Sequence, residues 1–362
     1  MDIHDPTNVT DASLVGVSGP SSYSAAASGE YAYVIGWYNG SYYLHVLYCV
    51  IPGSTSVLRT HDTTGFTYRV AIEDDYAYVA DGGGLRVFGI SAPGSSSEVA
   101  SCTISGGIKS VAVHGPYAFV GGQISGFSVV DISDPSAVDN DSVATGLPSM
   151  YQAWDIKARG DLAFVADDQD GLIVIDISDP LNPLEVDKVL YGKECKDIAL
   201  YGDYAYVATG FQGGIEVVNI DRTSADFLTT EVEYTITTDP MEYISANGIT
   251  ARGEYVYMAV SSEGLRNIYM SSDFTTVSEE CTLAASDPQG LDVSGDYVFV
   301  ADSTAGLKII QVSDPAGPLL SGTCSTLSAW DVVVNGRYAY MVDGDWTAGN
   351  NKFRIIDLIP ED

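Results

Sequence analysis

The sequence predicts an all-β fold, and three observations predict it. A tetrapeptide of the form YAYV recurs eight times in 362 residues, with successive starts 41 to 51 residues apart. Each copy lies in a short run rich in β-branched and aromatic residues, bounded by Gly, Pro, Asn or Asp, as strands joined by tight turns require. The chain holds 24 Tyr and 37 Gly, and its 46% hydrophobic residues suffice for a core. A period of this length marks an array of one supersecondary unit.

Within a unit the elements follow in a constant order. A first strand such as "DIALYG" (Asp197–Gly202) or "DVVVNG" (Asp331–Gly336) ends in Gly. The YAYV element is the second strand: Tyr31–Val34, Tyr76–Val79, Tyr117–Val120, Leu162–Val165, Tyr204–Val207, Tyr255–Met258, Tyr297–Val300 and Tyr338–Met341. A turn follows, with Gly84, Gly126, Gly171, Gly214, Gly264 or Gly306 at a site expected to need positive φ. The third strand reads "LRVFGIS", "FSVVDIS", "LIVIDIS", "IEVVNI" or "LKIIQVS". Asp134-Pro135, Asp179-Pro180 and Asp314-Pro315 then read as turns, Pro presetting φ and Asp accepting a local hydrogen bond. A more polar fourth strand closes the unit.

The second and third strands are apolar on both faces, so each sheet must be covered on both sides. Four-stranded antiparallel units of this size, packed face to face around an axis, describe a β-propeller. One domain over 1–362 is expected, with units starting near 24, 69, 110, 155, 197, 248, 290 and 331. The chain ends after a third strand, "FRIIDL" (Phe353–Leu358), and "ASLVGVS" (Ala12–Ser18) reads as a fourth. Residues 1–20 therefore complete the last blade of an eight-bladed ring. Seven blades is the alternative, if one degenerate unit is an insertion.

"GLIVIDISDPLNPLEV", "FSVVDISDP", "GEYAYV" and "GDYAYV" resemble the LVIVD-repeat proteins, β-propellers of bacteria and archaea. The resemblance covers essentially the whole chain. It is strongest at 155–220 and 292–362, and weaker where third strands read "YLHVLYC" and "LRNIYMSS". It implies a propeller on a secreted or surface-anchored protein and supplies no catalytic motif.

Charge excludes some partners. Forty-nine acidic residues against 16 basic ones give a formal net charge of −33, so the chain repels nucleic-acid and anionic membrane surfaces. Such a surface is expected to solubilise the protein; the alternative reading is one that attracts Ca²⁺, basic partners or a salty medium. Five scattered Cys without CxxC spacing read as free thiols, not as a disulfide framework or zinc site. No apolar run reaches the length of a membrane span. "MDIHDPTNVT" lacks the regions of a signal peptide, so the expectation is an extracellular or cell-surface chain whose leader is gone, with a cytoplasmic one as the alternative.

Departures from the repeat fall on fourth-to-first and second-to-third connections, which share one face of a propeller. "TGLPSMYQAW", "TTDPMEYISANG", "GWYNGSYY" and "DGDWTAGNN" bring Trp37, Tyr38, Tyr151, Trp154, Met241, Tyr243 and Trp346 to that face, and Trp330 stands beside such a connection. Rigid aromatic side chains there suit protein or carbohydrate recognition. Trp154 and Trp330, each just before a first-strand Asp, also suit packing within the repeat. Counting seven back from each YAYV places Asp155, Asp197 and Asp331 at one level of the axial tunnel. There they could hold a cation, or hydrogen-bond their own loops. "DDQDG" has the look of a short calcium loop, with Asp168 and Asp170 as ligands, but lacks the closing Glu and serves equally as a solvated turn. Sequons mark Asn8, Asn39 and Asn140 for glycans if the chain is exported.

No hydrolase triad, P-loop, haem motif or dinucleotide fingerprint is present. The leading expectation is therefore a non-catalytic binding or assembly module needing no cofactor. A glycan hydrolase or lyase using the tunnel-mouth carboxylates is the alternative, and a homopolymer joined through outer strands is a third reading.

Overall fold

The computed structural model describes strand backbone between residues 10 and 357 and side chains mainly between 71 and 324, short connecting segments excepted. Residues 1–9, 237–243, 346–349 and 358–362 lie outside it. The described residues form eight four-stranded antiparallel sheets, taken here in chain order. Sheet four shows the plan: Ala153–Arg159, Leu162–Asp167, Gly171–Asp176 and Leu184–Val189 pair each with the next. In the eighth, Thr10–Gly16 is the outer strand and pairs with Asn350–Asp357.

Burial follows the sequence pattern. Leu162–Asp167 is buried at every position, and Gly171–Asp176 at all but the last. The outer strand Leu184–Val189 is exposed over its first four residues. Cores lie between neighbouring sheets. Ala163 and Val165 pack with Phe119, Phe127 and Val129 of sheet three, while Leu162, Phe164 and Ala166 pack with Ile198, Ala205 and Val207 of sheet five. Alternate residues of one strand thus serve two cores, which is why the repeat tolerates no polar face there. The first strand of each sheet lies beside that of the next, and the first strand of the eighth, Ala329–Asn335, lies beside that of the first, Ser21–Ser28.

The turn glycines have a second reason beyond backbone freedom. Gly171 has φ +78, and a Cβ there would sit 2.3 Å from the Leu190 carbonyl oxygen. In sheet five the expectation shifts by one residue. The positive φ falls on Gly213, whereas Gly214 is required because a Cβ would lie 2.6 Å from the Tyr234 carbonyl. The Asp134 carboxylate accepts the Ser136 N–H (3.1 Å) as expected, whereas at Asp179 and Asp314 the main-chain carbonyl accepts, from the Asn182 and Gly317 N–H. Cys102, Cys195 and Cys324 are buried, Cys281 is half-buried, and none of the four is in a disulfide. No helix among the described residues is long and apolar enough to cross a membrane.

Candidate functional site

A repeated irregularity builds the site. In six sheets the ladder between first and second strands skips one residue, a β-bulge, at Tyr23, Lys109, Trp154, Lys196, Asn247 and Trp330. A bulge leaves its extra residue unpaired and re-aims the side chain. All six sit eight residues before a YAYV element.

Three of them meet although they are far apart in sequence. The Lys109 ammonium lies 5.2 Å and the Lys196 ammonium 4.2 Å from the centre of the Trp154 ring. The indole N–H donates to Asp168 Oδ1 (3.0 Å), which also accepts from Lys196 (3.4 Å), and Lys196 pairs with Glu194. Asn247 of the next sheet donates to Ser261 Oγ (2.9 Å) and to the Pro288 carbonyl (3.2 Å). Burial pushes the Lys109 ammonium below its ordinary pKa; nearby Asp168 opposes that and Lys196 adds to it. Burial alone would raise Asp168, but the Trp154 and Lys196 hydrogen bonds and the Lys196 charge hold it below the usual carboxylate value.

Hydrogen bonds between connections make this one surface. Gly192 N–H donates to the Gln169 carbonyl (3.0 Å), Asp168 N–H to Gln152 (3.2 Å) and Gly210 N–H to Glu194 (2.7 Å). Each joins a fourth-to-first connection to a second-to-third one. Buried Asp167 clamps them, accepting Gln169 and Asp170 N–H on one oxygen and Gln152 N–H on the other. Two large aromatics, Tyr151 and Tyr191, stand 50% and 73% exposed in the fourth-to-first connections that lead to Trp154 and to Lys196.

Of the three first-strand carboxylates, Asp155 and Asp197 are engaged. Asp155, Asp197 and Asp331 pair across their ladders with Ala166, Ala208 and Val342, so they share one register. Asp155 is buried 3.0 Å from the Lys157 ammonium. The Asp197 carboxylate accepts the Ile249 N–H of the neighbouring sheet (3.0 Å). In the loop "DDQDG", Asp170 pairs with Lys188 (2.7 Å) and Asp168 with Lys196. Among the described residues, no three His, Cys, Asp or Glu side chains are grouped to hold a metal ion. Asn140 is exposed, and its side-chain oxygen accepts the Thr103 N–H (2.7 Å).

Other expected positions are placed only by backbone. Trp37 and Tyr38 close the second strand Tyr31–Tyr38, and pair with Tyr42 and Ser41, where a connection was expected. Only Asn39-Gly40 separates the two strands, a pair that favours the shortest hairpins. Trp330 is a bulge residue, and the side chain of Asp331 is outside the described residues. Asn8, Asn39, Met241, Tyr243 and Trp346 lie wholly outside them. Sequence reasoning missed Lys109, Lys196, Asn247 and Tyr191. Counting eight residues back from YAYV instead of seven would have aligned the first three with Trp154.

A model of the LVIVD repeat matches residues 64–104, 105–139, 152–190, 192–225, 285–326 and 328–358, together more than half of the chain. The chain belongs to the LVIVD-repeat family. The two units left unmatched in this LVIVD-repeat protein are the first and the sixth, the two whose third strands depart most from the motif. No curated protein matches it in sequence. Solved structures similar to it include Chaetomium thermophilum Sqt1 bound to the N-terminus of the ribosomal protein L10, at 14% identity over 96% of this chain and 100% of that one, TM-score 0.71. BamB from Moraxella catarrhalis is similar at 10% identity over 96% and 99%, TM-score 0.65. The β-propeller domain of Cps50 (Swd1) from Myceliophteria thermophila is similar at 12% identity over 81% and 97%, TM-score 0.53. These likenesses establish the fold: the LVIVD-repeat protein is a β-propeller.

Proposed function

We propose that this protein is a non-catalytic binding module, one eight-bladed propeller domain whose fourth-to-first and second-to-third connections face a partner. The neighbour order of the first strands and the pairing of Thr10–Gly16 with Asn350–Asp357 support a ring of eight blades sealed by both ends of the chain. One observation carries the binding reading. The bulges gather Lys109, Trp154 and Lys196 on the face where Tyr151 and Tyr191 are exposed. Large, rigid aromatics beside fixed charges supply most of the energy at recognition surfaces. Asp155 and Asp197, tied to Lys157 and to the Ile249 amide, serve as structural groups in this reading. Sqt1, similar in fold, is described as bound to the N-terminus of another protein. An extracellular or cell-surface setting, with glycans on the sequons, fits the acidic surface and exposed Asn140.

Native mass spectrometry of protein from its source tests this directly, since it reads bound partners, glycans and the true N-terminus together. Tyr151→Ser with Trp154→Phe should release the partner. Asp161→Lys with Asp203→Lys, exposed on first-to-second hairpins at the other end of the strands, should retain it. Release only by the second pair would put the interface on the opposite face. Protein with no partner or ligand at all would remove the binding reading.

A further inference from the structure

The eight positions that precede each YAYV element by eight residues are Tyr23, Tyr68, Lys109, Trp154, Lys196, Asn247, Gln289 and Trp330. None is small, aliphatic or acidic, in a chain with three times as many acids as bases. Six are bulge residues by backbone register, and Gln289 occupies the same place in sheet seven, donating its N–H to Ala301 (2.9 Å). Tyr68 holds its place by sequence spacing alone. Because the first strands are neighbours in chain order, the described positions divide into arcs: aromatic at Trp330 and Tyr23, cationic about an indole at Lys109–Trp154–Lys196, and amide at Asn247–Gln289.

This inference rests on the binding function proposed above and names its ligand class. From the convergence of Lys109, Trp154, Lys196 and the Asn247 amide on bulge positions of adjacent first strands, we infer a saccharide site for a glycan that carries isolated uronic-acid carboxylates. A sugar presents a C–H face that stacks on an aromatic plane, and hydroxyls that both donate and accept. The site has matching parts: the Trp154 ring, donors on Lys109 and Lys196, and acceptors on Asp168 and Glu194. A peptide strand would ask instead for apolar pockets, and no bulge position supplies an aliphatic one. The ammonium of Lys109, half-buried and so partly stripped of water, rewards a carboxylate more than it would at an open surface. The net charge of −33 repels densely charged polymers, which limits the ligand to sparse carboxylates.

Calorimetry on the full chain tests it, using glucuronoxylan and hyaluronan fragments, whose carboxylates are spaced apart, each beside its carboxyl-reduced counterpart. At least one acidic fragment should bind, with its reduced partner about tenfold weaker or worse, the scale of one charge-assisted hydrogen bond. Lys109→Met should weaken binding by a similar factor while thermal unfolding is unchanged. Trp154→Phe should abolish ligand-dependent change in tryptophan fluorescence. Three outcomes would overturn the inference: no acidic fragment binds at millimolar concentration, reduced fragments bind equally well, or Lys109→Met and Lys196→Met bind like the parent. If the glycan fails while Tyr151→Ser with Trp154→Phe still releases the native partner, the ligand class is wrong and the binding face stands.

Discussion

Gly171 and Gly160 have similar backbone angles, φ +78 and φ +56, but very different surroundings. A Cβ on Gly160 meets nothing within 4 Å, whereas on Gly171 it would strike the Leu190 carbonyl. Gly160→Ala should therefore cost only left-handed strain, about 1 kcal/mol. Gly171→Ala should cost about 3 kcal/mol or more, since the outer strand must also move. Urea midpoints of the two variants measure the difference, and equal losses would reduce the repeat glycine to a matter of φ. Asp176 offers a second residue-level test. Hydrogen bonds from the Ser178 hydroxyl and N–H, and then from Arg222 of the next sheet, hold its carboxyl at about 2 against an ordinary 3.8. A folded-state pKa below the unfolded one gives stabilisation that is complete at neutral pH and drains away as pH falls from about 4 toward 2. The stability gap between the parent and Asp176→Asn should close over that window in urea titrations. A gap independent of pH would mean the carboxylate charge contributes nothing. The turn glycines and Asp-Pro pairs were legible in the sequence because their constraints are local. The partners that make Gly171 and Asp176 costly to change, Leu190 and Arg222, were not.

Between strands, two layers of bulges shape the sheets. The inner layer re-aims the site residues. The outer layer lies in fourth strands, where Val99, Val186, Glu231, Glu280 and Ser321 are skipped by their ladders. A bulged edge is a poor template for another strand, so joining of molecules through their outer strands has little support. First strands are linked by side chains as well as by packing. The Asp197 carboxylate takes up the Ile249 N–H across a sheet boundary. Asp197→Ala should speed hydrogen exchange at the Ile249 amide by roughly tenfold or more, the scale set by ~1–3 kcal/mol for an unsatisfied donor. Unchanged exchange would show that packing alone holds the junction. The strands themselves could be read from alternation and turn residues. Their bulges could not, because a skipped residue is defined only against the strand it faces.

At the scale of the whole molecule, most of the scarce cations among the described residues are paired with carboxylates of the same chain. Arg86 pairs with Asp81 and Glu98, Lys193 with Glu216 and Glu233, Arg266 with Glu263 and Glu279, and Lys308 with Asp302. The surplus acids are left to repel one another. Raising salt from about 20 mM to about 500 mM shortens the screening length severalfold, and the melting temperature should climb by a few degrees, on the scale of ~2–4 °C per kcal/mol. A fall would mean that the internal pairs outweigh the surface repulsion. Strand order, the repeat period, the two-sided cores and the all-β class were set by the amino-acid order alone, because each depends on propensity, alternation and turn chemistry within a few residues. The meeting of Lys109, Trp154 and Lys196 was decided by the tertiary structure. It requires three first strands to lie side by side, each with its bulge at the same height, and that alignment arises only when the sheets pack on one another's apolar faces.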